Sequence, residues 1–363
     1  MTRSSVPLSP AGERVGVRAC ALMLLTLTSC ASLQLAQLPK EAELHRAKTD
    51  DGWEISLTRY RAIGGPKGPP IVLCHGISAN ERNMDLDADH SMARWFAAQG
   101  REAWTMSLRG TGKSDGIDER QGRKGPIYFD DYWKHDLPAV VEYVKRISGV
   151  PAIDYAGHSM GGMVLYAYLS QGGQGIHAAA TMGSPTRLDW GTGLESLLTS
   201  IGPRIVTPQW MIPSMFGAHL AEPFQTADGP FERLFYNPQS TDPQAWHRLM
   251  AYGTADVAGG TALQLIELMQ TGKFQSADGK IDLRAAMAKI TTPVIVVAGR
   301  LDRIAVAPAV KDGYRALGGP KEWLLITRAN GSRGEYGHMD LVIGDRAGDE
   351  VWSKILRFLD QVP

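Results

Sequence analysis

Short runs of apolar residues recur along the chain and are separated by polar and glycine-rich stretches. The runs are Trp53 to Arg59, Ile71 to Cys74, Ala103 to Ser107, Ala152 to Ala156, Ala178 to Met182, Val294 to Ala298 and Glu322 to Ile326. Most of them are almost wholly apolar, which is typical of strands that are buried on both faces. The pattern therefore predicts a central sheet with both of its faces covered.

Between these runs, apolar residues repeat at the spacing of a helix. Two sets show this spacing: Leu137, Val140, Val141 and Val144, and near the C-terminus Val351, Ile355, Phe358 and Leu359. Asp136 precedes the first set and is expected to cap that helix. Such alternation of strands and helices predicts an α/β fold, with a mostly parallel central sheet flanked by helices.

The alternation stops between Thr186 and Asp278. This segment has few strand-like runs and many large apolar side chains: Trp190, Trp210, Met211, Met215, Phe216, Phe224, Phe231, Phe235, Trp246 and Met250. It predicts a mainly helical insertion, residues 186–278, which caps the sheet and divides the core into residues 46–185 and 279–363. The large side chains either fill a small core of the insertion itself or line an apolar pocket.

The charges of the chain are balanced. Its 363 residues include 38 Lys and Arg and 38 Asp and Glu, which gives no basic footprint for nucleic acid or for an acidic membrane surface. The length suits one large α/β domain with an insertion. Of the three cysteines, only Cys74 lies within the predicted core, and in a strand-like run a buried, inert thiol is expected.

The N-terminus has the layout of a secretion signal. Three arginines precede the apolar stretch Ala19 to Leu27, which is too short to span about 30 Å of hydrocarbon. Leu27-Thr28-Ser29-Cys30 resembles the lipobox of bacterial lipoproteins. The resemblance implies a signal peptide over residues 1–30, a lipidated Cys30 that anchors the protein in a membrane, and a linker over residues 31–45.

That anchor implies a location in the bacterial cell envelope. Because Ala31 follows Cys30 and is not an aspartate, the resemblance favours the outer membrane over the inner membrane. Simple cleavage and release into the periplasm or the medium is the alternative.

The sequence Gly157-His158-Ser159-Met160-Gly161 joins the apolar run that ends at Ala156 to the apolar run Met163 to Leu169. It predicts a strand, a sharp turn and a helix, with Ser159 at the apex. Glycine is needed on both flanks because a side chain there would collide with the adjoining strand or helix. The Ser159 hydroxyl is thereby a candidate nucleophile.

A serine hydroxyl reacts only when a base takes its proton and a carboxylate orients that base. In enzymes built on this turn, the acid follows the serine in the chain and the histidine follows the acid. Asp302 lies just after the run Val294 to Ala298, and His338 is the only histidine C-terminal to Asp302. They are the candidate acid and base, with Asp340 and Asp189 as alternative acids.

Acyl chemistry also needs donors for an oxyanion. The backbone amides of Met160, directly after the serine, and of Ile77, in the loop after Ile71 to Cys74, are the candidates. His75 in the same loop is expected to be structural. No histidines or cysteines lie at the paired spacings of metal ligands, and no glycine-rich phosphate or dinucleotide loop is present in the sequence. No metal or cofactor is implied.

With these residues assigned, the chain resembles the α/β-hydrolase superfamily from about Glu43 to its end, and within it the gastric and lysosomal acid lipases. The matching stretches are Leu73-Cys74-His75-Gly76-Ile77, Ser107-Leu108-Arg109-Gly110, Phe129-Asp130-Asp131-Tyr132, Asp136-Leu137-Pro138, Gly157-His158-Ser159 and His338-Met339-Asp340-Leu341. The resemblance implies the same triad of Ser159, Asp302 and His338, with the Ile77 and Met160 amides at the oxyanion. Met160-Gly161-Gly162 is instead similar to bacterial esterases.

These features predict a serine hydrolase that cleaves carboxylic esters, lipid-like ones in particular, through an acyl-enzyme. Its partners are then a small ester or lipid substrate and, through Cys30, a membrane. Two alternatives stay open. The same triad serves an acyltransferase if the insertion excludes water, and a catalytically inactive, hydrolase-like binding protein of the envelope is the third hypothesis.

Overall fold

The structure is a computed structural model that describes residues 42–118, 122, 125–188, 193–221 and 228–363. Every described residue belongs to one compact unit, Lys40–Pro363. The predicted signal peptide with Cys30, the alternative acid Asp189, and the side chains of Trp190 and Phe224 all lie outside the described residues.

In the part of the chain that the structure describes, eight strands form the central sheet, in the order β1-β2-β4-β3-β5-β6-β9-β10. β1 and β2 are antiparallel to their neighbours, and all the other pairs are parallel. The strand bounds are β1 Glu43–Lys48, β2 Glu54–Tyr60, β3 Ile71–Cys74, β4 Ala103–Met106, β5 Ile153–His158, β6 Ile176–Met182, β9 Val294–Gly299 and β10 Lys321–Ile326. The predicted α/β class with a mostly parallel sheet is confirmed.

The apolar residues of the sheet divide between two buried clusters, one on each face. In β3, for example, Val72 and Cys74 belong to one cluster and Ile71 and Leu73 to the other, as the two-residue period of a strand requires. Both faces are covered because the strand connections are helical, and this accounts for the nearly continuous apolar runs in the sequence.

The apolar runs did not predict β1. Its sequence, Glu-Leu-His-Arg-Ala-Lys, is mostly polar and partly exposed because the strand lies at the edge of the sheet and pairs only with β2. Only Ala47 in it is fully buried. The boundary at residue 45, predicted for the end of the linker, therefore falls inside β1.

Helices flank the sheet on both sides. Those outside the insertion are α1 Met92–Ala98, α2 Leu137–Ser148, α3 Met160–Ser170, α8 Ala307–Ala316 and α9 Ser353–Gln361, with shorter helical turns at Phe129–Asp131, Leu283–Ala286 and Asp340–Ile343. The first helical repeat predicted from the sequence lies on α2. The second begins in the π-helical turn Gly348–Trp352 and continues into α9.

Asp136 does not cap α2, contrary to expectation. A π-helical turn, Tyr132–Asp136, runs directly into α2, so the helical hydrogen bonds continue through position 136 and leave no free amides for a cap there. The Asp136 carboxylate instead accepts hydrogen bonds from the Arg109 backbone amide, at 2.9 Å, and from Arg109 Nε, at 2.7 Å. This buried pair joins the loop after β4 to the start of α2.

The segment between β6 and β9 is a mainly helical insertion. It contains α4 Gly193–Ile205, α5 Ser214–Ala221, a short helix Glu232–Phe235, α6 Pro243–Arg248, a π-helical turn Leu249–Gly253 and α7 Gly259–Thr271. Two short antiparallel strands, β7 Met211–Ile212 and β8 Val257–Ala258, pair within it. Over the described parts of the chain, no helix combines the length and apolarity needed to cross a membrane.

Candidate active site

Ser159 occupies a strained backbone conformation between β5 and α3. Its φ is +52° and its ψ is −117°, outside the regions that residues with side chains usually adopt. Its amide donates to the Met182 carbonyl oxygen at 2.8 Å, and its own carbonyl oxygen accepts from the Gly162 amide at 3.1 Å. The bonds to β6 and to the helix hold the serine at the carboxyl edge of the sheet.

The two glycines of the turn have no room for a side chain. A Cβ at Gly157 would lie 2.5 Å from the Gly161 carbonyl carbon, and one at Gly161 would lie 2.6 Å from the Cys74 carbonyl oxygen. Both distances are well below van der Waals contact. The helix that follows the serine can therefore approach β5 and the end of β3 only because positions 157 and 161 lack a Cβ.

Asp302 and His338 are in direct contact. His338 Nδ1 lies 2.7 Å from Asp302 Oδ2, and both side chains are buried. The other carboxylate oxygen, Oδ1, accepts from the Ile304 and Ala305 amides at 2.9 and 2.7 Å. Asp302 thus both organises the loop before α8 and holds the Nδ1–H tautomer of His338, which leaves Nε2 free to take a proton.

The alternative acid Asp340 is occupied elsewhere. Its carboxylate accepts from Thr241 Oγ1 at 2.5 Å, the Gly337 amide at 2.5 Å and the Asn237 amide at 3.0 Å. Burial raises the pKa of Asp340 to about 7, and these hydrogen bonds oppose the rise. Asp340 therefore joins the His338 loop to the insertion, while Asp302 holds the His338 ring.

Gly183 lies beside Asp302 and His338 and was not identified from the sequence. It has a φ of +56°, and a Cβ at this position would lie 3.1 Å from both Asp302 Oδ2 and His338 Nδ1. A side chain here would displace the two groups. The sequence signal that could have identified it is a glycine directly after β6. This strand is next to β5, so its end lies at the same edge of the sheet as Ser159.

His158 holds the backbone of His338. Its Nε2 donates to the His338 carbonyl oxygen at 3.2 Å, and the two ring centroids are 4.6 Å apart. Asn83 Oδ1 lies 3.1 Å from Nδ1 of His158. Because Nδ1 has no proton when Nε2 is the donor of a neutral ring, the Asn83 amide is assigned the flipped orientation, in which its NH₂ group donates to Nδ1. Burial, together with the nearby His338, holds the pKa of His158 well below its usual value, so this imidazole is neutral.

His75 organises the loop after β3. Its Nδ1 donates to the Gly76 carbonyl oxygen at 2.7 Å, and its Nε2 accepts from the Leu108 amide at 3.1 Å. Burial lowers the pKa of His75, which keeps the ring neutral and suits one nitrogen as donor and the other as acceptor. The segments around His75 and Leu108, both of which resemble acid lipase motifs, are therefore in contact.

The amides of Ile77 and Met160 are free to bind a ligand. Neither donates a hydrogen bond within the part of the chain that the structure describes. A Cβ at Gly76 would lie 3.0 Å from the Ser159 Cβ, so the loop that carries Ile77 runs beside the serine. Met160 is the first residue of α3, where the helix dipole adds positive potential.

The insertion holds this loop in place. Asn80 Nδ2 donates to the carbonyl oxygens of Tyr252 and Thr254, at 3.0 and 3.2 Å, and the Asn80 amide donates to the Gly253 carbonyl oxygen at 3.0 Å. Ser78, which has a φ of +55°, donates through Oγ to the Ala255 carbonyl oxygen at 3.1 Å. No pattern in the sequence predicted these contacts.

Two apolar cavities meet at Ser159. The smaller, about 310 Å³, is bordered by His338, Met339 and the part of the insertion from Ser214 to Thr254. The larger, about 520 Å³, is bordered by Met160, Met163 and residues of α4 and α7. Ser159, Ile77 and Ile304 border both. Both volumes are typical of small-molecule sites.

The insertion aromatics serve both of the roles considered from the sequence. Trp246 stacks between Phe235 and Tyr236, with ring centroids 5.4 and 5.1 Å apart, and Phe231, Phe235 and Trp246 also line the smaller cavity. Trp210 and Phe216, in contrast, are more than half exposed.

Ser159 and His338 face the same cavity without a direct hydrogen bond between Oγ and Nε2. Such catalytic bonds are often long in unliganded enzymes and tighten when substrate binds. The structure thus brings Asp302 and His338 into contact, and places Ser159 and the two free amides around a common space.

Two other groups of interest have side chains that take no part in this arrangement. Cys74 is fully buried, and burial raises the pKa of its thiol to about 12, which makes it unreactive. Asp50, Asp51 and His135 place ligand atoms within 4.8 Å of one another. Their contacts account for that proximity, because Asp51 binds Arg109 and Asp50 binds His135.

Comparison with known proteins places these features in a family. Residues 69–329 match the family model for the alpha/beta hydrolase fold. Lipase 1 of Drosophila melanogaster is 20% identical over 91% of this chain and 79% of its own length. Human lysosomal acid lipase/cholesteryl ester hydrolase is 29% identical over 36% of this chain, a match that spans about a third of that relative.

Solved structures share the fold at low sequence identity. An esterase from Thermogutta terrifontis superimposes with a TM-score of 0.59 at 17% identity, over 88% of this chain and 99% of its own. A membrane phospholipase A, described as a bacterial virulence factor, gives a TM-score of 0.55 at 17% identity over 96% of this chain and 97% of its own.

The space around the turn gives a direct structural prediction. We expect Gly157→Ala to destabilise the protein by about 1 to 3 kcal/mol, because its Cβ would overlap backbone atoms that cannot move independently. The measurement is the free energy of unfolding in urea. The control is Gly116→Ala, where a Cβ meets no atom within 4 Å and the expected change is within about 0.5 kcal/mol. Equal stability of the two variants would contradict this description of the turn.

Proposed function

The chain belongs to the α/β-hydrolase family, and on that premise we propose that it is a carboxylic ester hydrolase in which Ser159 is the nucleophile, His338 the base and Asp302 the acid. One observation carries the proposal. The buried hydrogen bond of 2.7 Å between Asp302 and His338 lies beside the cavity that also contains the strained Ser159. Buried carboxylate–imidazole pairs of this kind orient the general base of acyl-transfer enzymes.

The first half of the reaction forms an acyl-enzyme. His338 Nε2 takes the proton of the Ser159 hydroxyl while Oγ attacks the ester carbonyl carbon, which becomes tetrahedral. The imidazolium that results is stabilised by the Asp302 carboxylate at Nδ1. When the tetrahedral intermediate collapses, the carbon–oxygen bond to the alcohol breaks, and the proton on Nε2 passes to the departing alkoxy oxygen.

The second half regenerates the enzyme. His338 Nε2 takes a proton from water, the hydroxyl oxygen attacks the acyl carbon, and the bond to Ser159 Oγ breaks as Oγ regains a proton. In both halves the oxyanion accepts hydrogen bonds from the amides of Ile77 and Met160. Each such donor lowers the barrier by about 3 to 4 kcal/mol in comparable enzymes. That neither amide has another acceptor among the described residues supports this role.

Lipid-like substrates fit the surroundings of Ser159. The walls of both cavities are predominantly apolar, so they favour hydrocarbon over water. Several relatives are named as lipases, among them Lipase 1 and lysosomal acid lipase. We infer that the ester substrate is a lipid or has lipid-like hydrocarbon arms.

We further propose that Cys30 is lipidated and holds the protein in the bacterial envelope, at the outer membrane. The support is the sequence alone: Leu27-Thr28-Ser29-Cys30 follows an apolar stretch preceded by arginines, and Ala31 comes next. Several acyl chains on one residue give stable anchoring, whereas a single chain does not.

The role of Ser159 predicts a sharp loss of activity. We expect Ser159→Ala to lower kcat by at least about 10⁴-fold on p-nitrophenyl esters and to abolish labelling by a fluorophosphonate. Asp302→Asn should lower kcat by about 10⁴-fold, because asparagine lacks the negative charge that stabilises the His338 imidazolium. Ser170→Ala changes a buried serine at the other end of α3 and should label normally. Undiminished labelling of Ser159→Ala would refute the proposal.

The anchor predicts a cysteine-specific modification. We expect the full chain, expressed in a bacterium fed an alkyne fatty acid, to carry the label and to sediment with membranes, and Cys30→Ser to lose both properties. Cys20→Ser is the matched control, since Cys20 also lies in the leader, and it should retain the label. Labelled, membrane-bound Cys30→Ser would show that the anchor is elsewhere.

A further inference from the structure

The two cavities at Ser159 differ in one respect that bears on substrate. His338 borders the smaller cavity but not the larger one, whereas Met160 borders the larger but not the smaller. We propose that the larger cavity holds the acyl chain of the ester and the smaller cavity holds its alcohol part. This assignment rests on the proposed function and deepens it, because it names the class of ester that the site accepts.

The direction of proton transfer determines which arm occupies which cavity. The tetrahedral carbon carries four groups: Ser159 Oγ, the oxyanion, the alkoxy oxygen and the acyl chain. The base must reach the alkoxy oxygen to protonate it, so the alcohol leaves on the side of His338, which is the smaller cavity. The oxyanion faces the amides of Ile77 and Met160. The remaining group, the acyl chain, then points into the larger cavity.

The walls of the larger cavity define the acyl arm. Apart from Ser159, the described residues that line it are all apolar or glycine, and they come mainly from α3, α4 and α7. A charged or hydrogen-bonding group placed there would lose its water without gaining a partner, which is unfavourable. The acyl arm is therefore an unsubstituted hydrocarbon chain, and the volume of about 520 Å³ makes it the larger arm.

The smaller cavity has polar residues in its wall, but most of them are already engaged. Ser78, Ser214 and Thr254 donate through their hydroxyls to backbone carbonyl oxygens, and His158 contacts the Asn83 amide and the His338 carbonyl oxygen. Among the residues that the structure describes, no lysine, arginine, aspartate or glutamate borders either cavity. The alcohol arm is therefore also uncharged, and the site selects neutral esters with two apolar arms over phospholipids.

Two positions allow each cavity to be filled separately. Ala262, on α7, borders only the larger cavity. Gly217, on α5, borders only the smaller one, and a Cβ there meets no atom within 4 Å. We expect phenylalanine at either position to add a ring to the cavity that the residue lines and to leave the lining of the other cavity unchanged. Both positions lie on helices, where phenylalanine is tolerated, and phenylalanine has a higher helix propensity than the glycine at position 217.

The experiment uses the full chain and two substrate series. One series varies the acyl chain from C2 to C16 on a fixed alcohol, and the other varies the alcohol from C2 to C16 on a fixed acetyl group. We expect Ala262→Phe to lower the ratio of kcat/KM between C12 and C2 acyl chains by about tenfold or more, and to keep the wild-type dependence on alcohol length. Gly217→Phe should show the reverse. Gly116→Phe, outside both cavities, is the control and should match wild type in both series.

Each outcome decides the assignment. If Ala262→Phe changes the alcohol series and Gly217→Phe changes the acyl series, the assignment is reversed and the proposal is wrong; if both variants change both series, the cavities are not separate subsites. Labelling by a short-chain fluorophosphonate at the wild-type rate shows that a variant is folded. If a phenylalanine variant does not fold, Ala262→Leu or Gly217→Leu takes its place. Wild-type protein that neither labels nor cleaves any ester would refute the proposed function itself.

Discussion

The close packing of the serine turn against the end of β3 is the constraint on which the site depends. Gly161 lies against the carbonyl groups of Cys74 and His75, at a distance that leaves no space for a Cβ. The same approach brings Gly76 and Ile77 beside Ser159. One backbone contact therefore positions both the hydroxyl and the loop whose amide is free to bind an oxyanion, and the strained φ of +52° at Ser159 is retained because the neighbouring strands fix it.

The insertion contributes more than the walls of the cavities. Gly253, together with the carbonyl oxygens of Tyr252 and Thr254, binds Asn80 in the loop after β3. At the other side, the Met339 amide donates to the Phe235 carbonyl oxygen at 2.9 Å, and Thr241 binds Asp340. The same segment thus shapes the substrate cavities and holds the loops that carry Ile77 and His338. A change in the insertion that alters substrate preference is also able to alter catalytic positioning.

The sequence predicted those features that depend on local pattern. Strands with both faces buried, such as β3, follow their apolar runs almost to the residue, whereas the polar edge strand β1 has no such run. The chain order of serine, acid and histidine pointed to Asp302 and His338, which the structure places 2.7 Å apart. Long-range support was not predictable. His158 donates to the carbonyl oxygen of His338, which is 180 positions away in the chain. Gly183 matters because a Cβ there would lie too close to Asp302 and His338. Asp136 binds Arg109 instead of capping its helix.

The catalytic role of Ser159 is tested most directly by a crystal structure of the protein after reaction with an alkyl phosphonate ester, whose phosphorus mimics the tetrahedral carbon. We predict phosphorus bonded to Ser159 Oγ, with the phosphoryl oxygen about 3 Å from the amide nitrogens of Ile77 and Met160 and His338 Nε2 facing the alkoxy oxygen. Phosphorus on another residue, or a phosphoryl oxygen directed away from both amides, would contradict it.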